Sequence, residues 1–199
     1  MTRRSILLAS ASPRRSELLR QVGIDHEIRP VDVDESVRPG EAPSAYVLRL
    51  AEAKAAALWQ RLAAAERRPV LAADTTVALE GEIFGKPADL AEARAMLGRL
   101  SGRTHEVHTA VAVLHDGGAA ARVSSSSVSL RALTPAEIDW YWRTGEPVDK
   151  AGGYAVQGRA AAFIRHIAGS YSGIMGLPLY ETWELLAPLL GLTVEEPGT

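Results

Sequence analysis

The sequence contains no cysteine, and this absence removes several classes of active site at once. Without a thiol among its 199 residues, the chain cannot form a disulfide, use a cysteine nucleophile or bind a metal through thiolates. The composition is compatible with a reducing compartment. The five histidines show no His-x-x-x-His spacing, so we interpret them as core or surface residues rather than zinc ligands.

Other familiar signatures are missing too. There is no Gly-x-Ser-x-Gly elbow, Walker loop, Gly-x-Gly-x-x-Gly motif or apolar run long enough to span a membrane. The net charge of −2 disfavours a nucleic-acid coat protein but allows a local basic pocket. The start Met1-Thr2-Arg3-Arg4 resembles a signal peptide, yet its apolar run ends too soon, at Pro13. We therefore expect a cytoplasmic protein without a membrane or nucleic-acid partner.

The remaining composition and the hydrophobic pattern suit one globular domain covering residues 1–199, of which 47% are hydrophobic. Strands and helices alternate along the chain, and Asp116–Gly118 predicts a hairpin turn. This order predicts an α/β fold in which helices flank a mixed sheet. Strands are expected at 6–9, 26–31, 69–73, 104–115, 120–133 and 162–167. Helices are expected from Pro13 onward and at 44–67, 90–100, 134–145 and 179–190, with a loop at 169–173 and a frayed tail after Thr193.

The start of the first helix has an unusual charge. Ser12 is placed as an N-cap and Pro13 as the first helical residue, so Arg14 and Arg15 fall in the first turn. The helix dipole favours acidic side chains at that end. Two arginines, free backbone N–H groups and the hydroxyls of Ser10 and Ser12 would suit an incoming phosphate chain. The alternative is a solvated basic helix start without a function.

Further along, carboxylates and lysines lie where they could meet. Asp74 follows a buried apolar strand, Glu35 lies in an acidic loop, Lys54 borders the buried side of a helix and Lys86 lies on a loop. Each has an ordinary alternative, such as a turn cap for Asp74, a solvated loop charge for Glu35 or a snorkelling side chain for Lys54. Oxygen ligands without Cys or His favour Mg²⁺ or Mn²⁺ as the cofactor.

Several long motifs, in order along nearly the whole chain, resemble those of the Maf family. The first is the ASASPRRSELL sequence at 9–19. The others are ADTTV at 73–77, GKP at 85–87, MLGRLSGRTH at 96–105, EPVDKAGGYAVQG at 146–158, GSY at 169–171 and MGLPL at 175–179. The resemblance implies a fold like that of inosine triphosphate pyrophosphatases, with two lobes around a central cleft. It also implies a homodimer.

The resemblance further implies an activity. Maf proteins are nucleoside triphosphate pyrophosphatases that need a divalent cation and release a monophosphate and pyrophosphate. One branch prefers dTTP and UTP and another 7-methyl-GTP; the Asp74-Thr75 pair and Gln157 resemble the first. The family name comes from septum formation, so a regulatory binding protein in cell division stays an alternative, as does a pyrophosphatase for modified nucleotides such as 7-methyl-GTP.

The family pattern implies a role for each matching residue. Arg14, Thr75 and Gln157 correspond to specificity positions, and Asp74 to the proton acceptor. We predict that Arg15, Lys54 and the serines join in binding substrate, and that Lys86 acts beside Asp74 in catalysis. A divalent cation would lie between the triphosphate and the carboxylates of Glu35 and Asp74.

Overall fold

The computed structural model describes residues 5–193, which form one mixed sheet with helices packed around it. Expectations about residues 1–4 and the tail beyond Thr193 lie outside the described residues. The strands are β1 (Ile6–Leu8), β2 (His26–Ile28), β3 (Val70–Leu79), β4 (Glu82–Phe84), β5 (Thr104–His115), β6 (Gly118–Leu130) and β7 (Ile164–Ala168). The helices are α1 (Pro13–Gln21), α2 (Pro43–Arg61), α3 (Leu90–Leu100), α4 (Pro135–Trp142), α5 (Tyr171–Met175) and α6 (Leu179–Leu190). Short 3-10 turns lie at Ala64–Glu66, Ala151–Gly153 and Arg159–Phe163.

The sheet confirms the predicted α/β class with a mixed sheet. The strand order is β2-β1-β3-β5-β6-β7, and β4 adds to β3 off this path. The pairs β1–β2 and β1–β3 are parallel, whereas β3–β4, β3–β5, β5–β6 and β6–β7 are antiparallel. Among the described residues, no helix combines the length and hydrophobicity that a membrane crossing requires.

The two edges of β3 are paired differently, and this difference positions the cleft. One edge pairs with β5 from Val70 to Ala78. The other edge meets β1 only at Val70 and Leu71, and then β4 from Val77 to Leu79. Between these partners the segment Ala72–Thr76 has no strand on that side in the described part of the chain. Polar residues can therefore face an opening in the middle of the sheet.

The hydrophobic core divides on either side of this opening. One cluster packs Val77, Leu79, Val107 and Val128 against α3 and α4. Two others pack the first half of β3 against α1 and α6 on one face and α2 on the other. The three strands β3, β5 and β6 are long enough to belong to both parts. The cleft thus lies on a continuous, rigid sheet.

The local expectations differ most from the structure at three places, and β2, β6 and α4 also each end three residues before their expected ends. Asp74 does not follow a strand but lies in the middle of β3, because pairing with β5 continues through it and Lys54 compensates its charge. Helix α2 ends at Arg61, six residues early, because the buried Leu62 adopts an extended ψ of 130°. Residues 171–175 form α5 rather than a loop, since the Ser170 hydroxyl accepts a hydrogen bond from the Gly173 N–H and caps the helix.

Candidate active site

The opening beside β3 leads into a cleft of about 330 Å³, a volume typical of small-molecule sites. Five cationic and three acidic side chains line it, so its electrostatic balance favours an anionic ligand. One side, which we call the charged wall, consists of Arg14, Arg15, Glu35, Lys54 and Asp74. The opposite side, which we call the loop wall, consists of Gly85 and Lys86 together with residues 149–151 and 154–157.

A buried lysine joins two carboxylates at the floor of the charged wall. Lys54 Nζ lies 2.7 Å from Asp74 Oδ1 and 2.6 Å from Glu35 Oε1. Lys54 is only 8% exposed and Asp74 7%. The ion pair between Lys54 on α2 and Asp74 on β3 is therefore largely shielded from water. The hydroxyl of Tyr46 donates to the Glu35 carbonyl at 2.9 Å and thereby fixes the acidic loop at the cleft.

The two carboxylates differ in proton affinity. Burial raises the pKa of Asp74, although the nearby Lys54 and Arg15 charges act in the opposite direction. Burial would also raise the pKa of Glu35, but the hydrogen bond and charge of Lys54, together with the charges of Lys86 and Arg15, outweigh it and lower that pKa. Asp74 is therefore the stronger proton acceptor of the pair.

The carboxylates also fit a divalent cation that arrives with a substrate. Among residues 5–193, no group of three or more His, Asp or Glu side chains could hold a metal alone. Magnesium, however, is commonly held by one or two carboxylates plus substrate phosphates. The contacts with Lys54 use one oxygen of Asp74 and one of Glu35, and each carboxylate has a second oxygen.

The two arginines at the start of α1 differ sharply in what they contact. Arg15 donates from Nε to the Gly176 carbonyl at 2.8 Å, from Nη1 to Ser10 Oγ at 3.0 Å and from Nη2 to Thr75 Oγ1 at 3.3 Å. Arg14 makes one long contact, from Nε to the Met175 carbonyl at 3.4 Å. Arg15 is therefore tied to the scaffold, whereas Arg14 retains most of its donors for a ligand.

The serines near α1 are arranged differently from the expected cap. Helix α1 does begin after Ser12, but the Ser12 side chain makes no capping hydrogen bond. Its backbone N–H instead donates to Ser10 Oγ at 3.2 Å. Ser12 lines the cleft, while Ser10 is 7% exposed and lies behind Arg15. The uncapped N–H groups of the first turn suit an anion.

The loop wall is held by backbone and aromatic contacts rather than ion pairs. The Gly152 N–H donates to the Gly85 carbonyl at 2.9 Å, which joins the 149–157 loop to the loop of Lys86. The Tyr154 hydroxyl lies 2.7 Å from His105 Nε2. The Tyr141 hydroxyl accepts from the Ala155 N–H at 3.0 Å. These contacts fix the backbone, whereas the side chains of Lys86 and Gln157 stay exposed.

All the sequence-predicted site residues except Ser10 line this one cleft: Ser12, Arg14, Arg15, Glu35, Lys54, Asp74, Thr75, Lys86 and Gln157. Sequence reasoning missed Asp149 and Lys150, which share the cleft. Both belong to the glycine-rich stretch whose length already indicated a functional loop, and Asp149 has a left-handed φ of 67°. No sequence pattern identified the buried Thr109, which contacts Thr75.

Comparison with known proteins agrees with the resemblance noted in the motifs. The family model described as Maf-like protein matches residues 5–189. Proteins named dTTP/UTP pyrophosphatase are similar along nearly their whole length. That of Chromobacterium violaceum is 52% identical over 184 residues, with 92% of this chain and 93% of that protein covered. That of Methylobacillus flagellatus is 53% identical over 199 residues, with 100% and 97% covered.

Among solved structures, the Ham1 protein of Staphylococcus aureus matches 94% of this chain and 98% of its own, at 14% identity and a TM-score of 0.48. The sequence relatives are much closer, and the family model spans most of the chain. The chain therefore belongs to the Maf family.

Proposed function

We propose that this protein hydrolyses dTTP and UTP to the nucleoside monophosphate and pyrophosphate, with a divalent cation. The central observation is the Asp74–Lys54–Glu35 array in a cleft whose side chains are mainly cationic. Relatives about half identical to this chain have the name dTTP/UTP pyrophosphatase. The cleft has the volume and the charge for such a nucleotide.

The cations around the triphosphate would be of two kinds, mobile and fixed. Arg14 and Lys86 are free to move onto phosphate oxygens, whereas Arg15 is held rigidly and contributes a fixed charge. Phosphoryl-type transfer depends mostly on positioning and charge neutralisation, so several cations are expected around the reacting group. The uncapped first turn of α1 adds backbone donors beside Ser12.

Asp74 would act as the proton acceptor. Its raised pKa makes it a better base than an exposed aspartate, and Lys54 fixes one of its oxygens so that the other can orient a water. The water oxygen attacks the α-phosphorus, its proton passes to Asp74, and the bond to the bridging oxygen breaks. Lys86 neutralises the charge on the departing pyrophosphate.

A divalent cation held by Asp74 and Glu35 would polarise the phosphoryl oxygens and lower the pKa of the attacking water. Lys54 keeps these two carboxylates together before substrate arrives, since both contact the same nitrogen. It offsets their mutual repulsion, which would otherwise open the floor of the cleft.

Base choice would depend on Thr75 and Gln157, with Arg14 beside them. Both lie in the cleft, Thr75 on rigid β3 and Gln157 on the loop wall. A site that hydrogen-bonds one base rejects others strongly, because its polar groups would otherwise remain unpaired.

Pyrophosphate release from a panel of nucleoside triphosphates, with Mg²⁺ and with Mn²⁺, tests this function. We expect dTTP and UTP to be the best substrates and chelation to abolish turnover. A strong preference for 7-methyl-GTP would contradict the pyrimidine assignment, and no turnover of any nucleotide would contradict the pyrophosphatase.

We also propose that the protein is a cytoplasmic homodimer, as the resemblance implies. Light scattering coupled to size-exclusion chromatography tests the oligomeric state, and a mass near 21.3 kDa, that of one chain, would contradict it.

A further inference from the structure

The acidic loop that carries Glu35 is exposed along most of its length. Residues 32–42 form neither helix nor strand, and all of them except Val33 and Glu41 are exposed. A segment of this kind gains little from hydrophobic burial. Hydrogen bonds and ion pairs must therefore hold the loop where Glu35 meets Lys54.

One helix supplies the donors that hold Glu35. Tyr46 Oη donates to the Glu35 carbonyl oxygen at 2.9 Å. Arg49 Nη2 donates to the carbonyl oxygen of the next residue, Ser36, at 3.0 Å. Lys54 Nζ lies 2.6 Å from the Glu35 carboxylate. All three donors belong to α2, so the same helix holds both the backbone and the side chain at this position.

Arg49 also fastens the far end of the loop. Its Nε and Nη2 donate to the two carboxylate oxygens of Glu41 at 2.6 and 2.7 Å. The Arg38 N–H donates to the second of these oxygens at 3.0 Å. The hydrogen bonds from Arg49, with that from Arg38, lower the pKa of Glu41 to about 2, so the pair stays charged near neutral pH. A bidentate pair of this kind also fixes the geometry of both partners.

This ion pair lies outside the cleft. Neither Arg49 nor Glu41 lines it, whereas Glu35 does. Arg49 can therefore influence the reaction through the position of Glu35, and not by contact with a ligand in the cleft.

We propose that Arg49 is a positioning residue, which holds Glu35 ready to bind a divalent cation by fastening the Ser36 carbonyl and the Glu41 carboxylate to α2. This inference rests on the proposed function, in which Glu35 and Asp74 hold that cation. Groups that orient metal ligands commonly contribute about 10–100-fold to metal affinity.

The variant Arg49→Met tests the proposal, because methionine keeps an unbranched side chain beside the Tyr46 ring but has no donors. The probe is Mn²⁺, titrated by electron paramagnetic resonance with the α,β-methylene analogue of UTP, whose bridging carbon cannot be hydrolysed. We expect the Kd of Mn²⁺ to rise about tenfold or more. The Kd of the analogue without metal should change little.

The matched control is Arg94→Met. Arg94 makes the same kind of bidentate pair with Asp139, with both bonds at 2.7 Å, and joins α3 to α4. Neither residue lines the cleft. This variant loses an equivalent ion pair and should keep the wild-type Kd of Mn²⁺.

A second measurement needs neither metal nor turnover. Hydrogen exchange of the metal-free enzyme reports the opening of the acidic loop directly. We expect the Arg38 N–H, which the Glu41 carboxylate protects, to lose its protection in Arg49→Met and to keep it in Arg94→Met. The variant Glu41→Met breaks the same pair from its other side, so it should raise the Kd of Mn²⁺ even if Arg49→Met does not fold.

The double variant Glu35→Gln/Arg49→Met separates positioning from a general loss of stability. If Arg49 acts through Glu35, its replacement should add little once the Glu35 charge is gone. A wild-type Kd of Mn²⁺ in Arg49→Met or in Glu41→Met would overturn the proposal, as would the full further loss in the double variant. A wild-type enzyme that binds no Mn²⁺ would instead overturn the metal-dependent function itself, so the two failures are distinguishable.

Discussion

The two walls of the cleft are built by different physical means. The charged wall holds its side chains in place by ion pairs and hydrogen bonds, as with Lys54 between Asp74 and Glu35. The loop wall holds its backbone by the Gly152–Gly85 and Tyr154–His105 contacts and leaves Lys86 and Gln157 exposed. A rigid wall suits the reacting phosphorus, and an adaptable one suits the closing of a site around a ligand.

The sharpest test of this difference removes the charge of Asp74. In Asp74→Asn we expect kcat to fall about 10³-fold, because general-base catalysis contributes about 10²–10⁴, while KM for UTP changes little. The control is Asp149→Asn, a cleft carboxylate on the loop wall whose left-handed φ asparagine tolerates. Steady-state kinetics decide, and near-normal kcat in Asp74→Asn would show that Asp74 is not the base.

Variants of Lys54 and Lys86 test whether the stability of the fold depends on charge at the charged wall but not at the loop wall. Lys54→Met leaves the buried Asp74 without its partner and should destabilise the fold by about 3 kcal/mol. Lys86→Met, at an exposed position, should change the free energy of unfolding by less than about 0.5 kcal/mol and affect mainly turnover. Urea unfolding measures both, and equal losses would remove the distinction between the walls.

Behind the loop wall, β5 carries a buried titratable group, His105, which is 2% exposed and contacts Tyr154 of the loop wall. Burial lowers its pKa from 6.5 to about 4. As the pH falls below 6.5, the unfolded chain therefore takes up the proton first, and stability is lost progressively down to about pH 4. This group alone accounts for about 3 kcal/mol of that loss.

Urea unfolding between pH 7 and pH 4 checks this, with His105→Gln as a variant that cannot titrate there. The wild type should lose about 3 kcal/mol more than the variant over this interval. Parallel pH dependences would show that His105 does not contribute.

Sequence alone predicted which side chains line the cleft better than how they are arranged in it. Arg14 and Arg15 were recognisable because cations are misplaced at a helix start, and Asp74 because a carboxylate interrupts an apolar run. The hairpin at Asp116 and helix α3 followed from local patterns that the structure confirms.

What the sequence could not provide is which strand edge lacks a partner. The cleft exists because β1 and β4 leave the middle of β3 unpaired on one side, and pairings between distant segments have no local signature. For the same reason the sequence could not show that Ser10 and Arg15 are hydrogen-bonded to each other instead of keeping their polar groups free for a ligand. Thr109 was missed because a threonine inside a strand is ordinary until its neighbours are known.

The smallest expected effect concerns the docking of the loop wall on β3. A Cβ on Gly152 would lie 2.9 Å from a methyl group of Val77, and its φ is +68°. Gly145 has a similar φ of +76° but nothing within 4 Å of an added Cβ. Gly145→Ala should therefore cost only backbone strain, about 1 kcal/mol. Gly152→Ala should cost about 1–2 kcal/mol more through overpacking.

The functional consequence should differ between the two variants as well. Because Gly152 docks the loop on the Gly85 carbonyl, its displacement moves Lys86 and Gln157 together. We expect KM for UTP to rise in Gly152→Ala and to stay unchanged in Gly145→Ala, since only the first alters the loop wall. If both variants lose the same stability and keep the wild-type KM, the close approach of Gly152 to Val77 does not position the loop. The backbone of the 149–157 loop would then be as adaptable as its side chains.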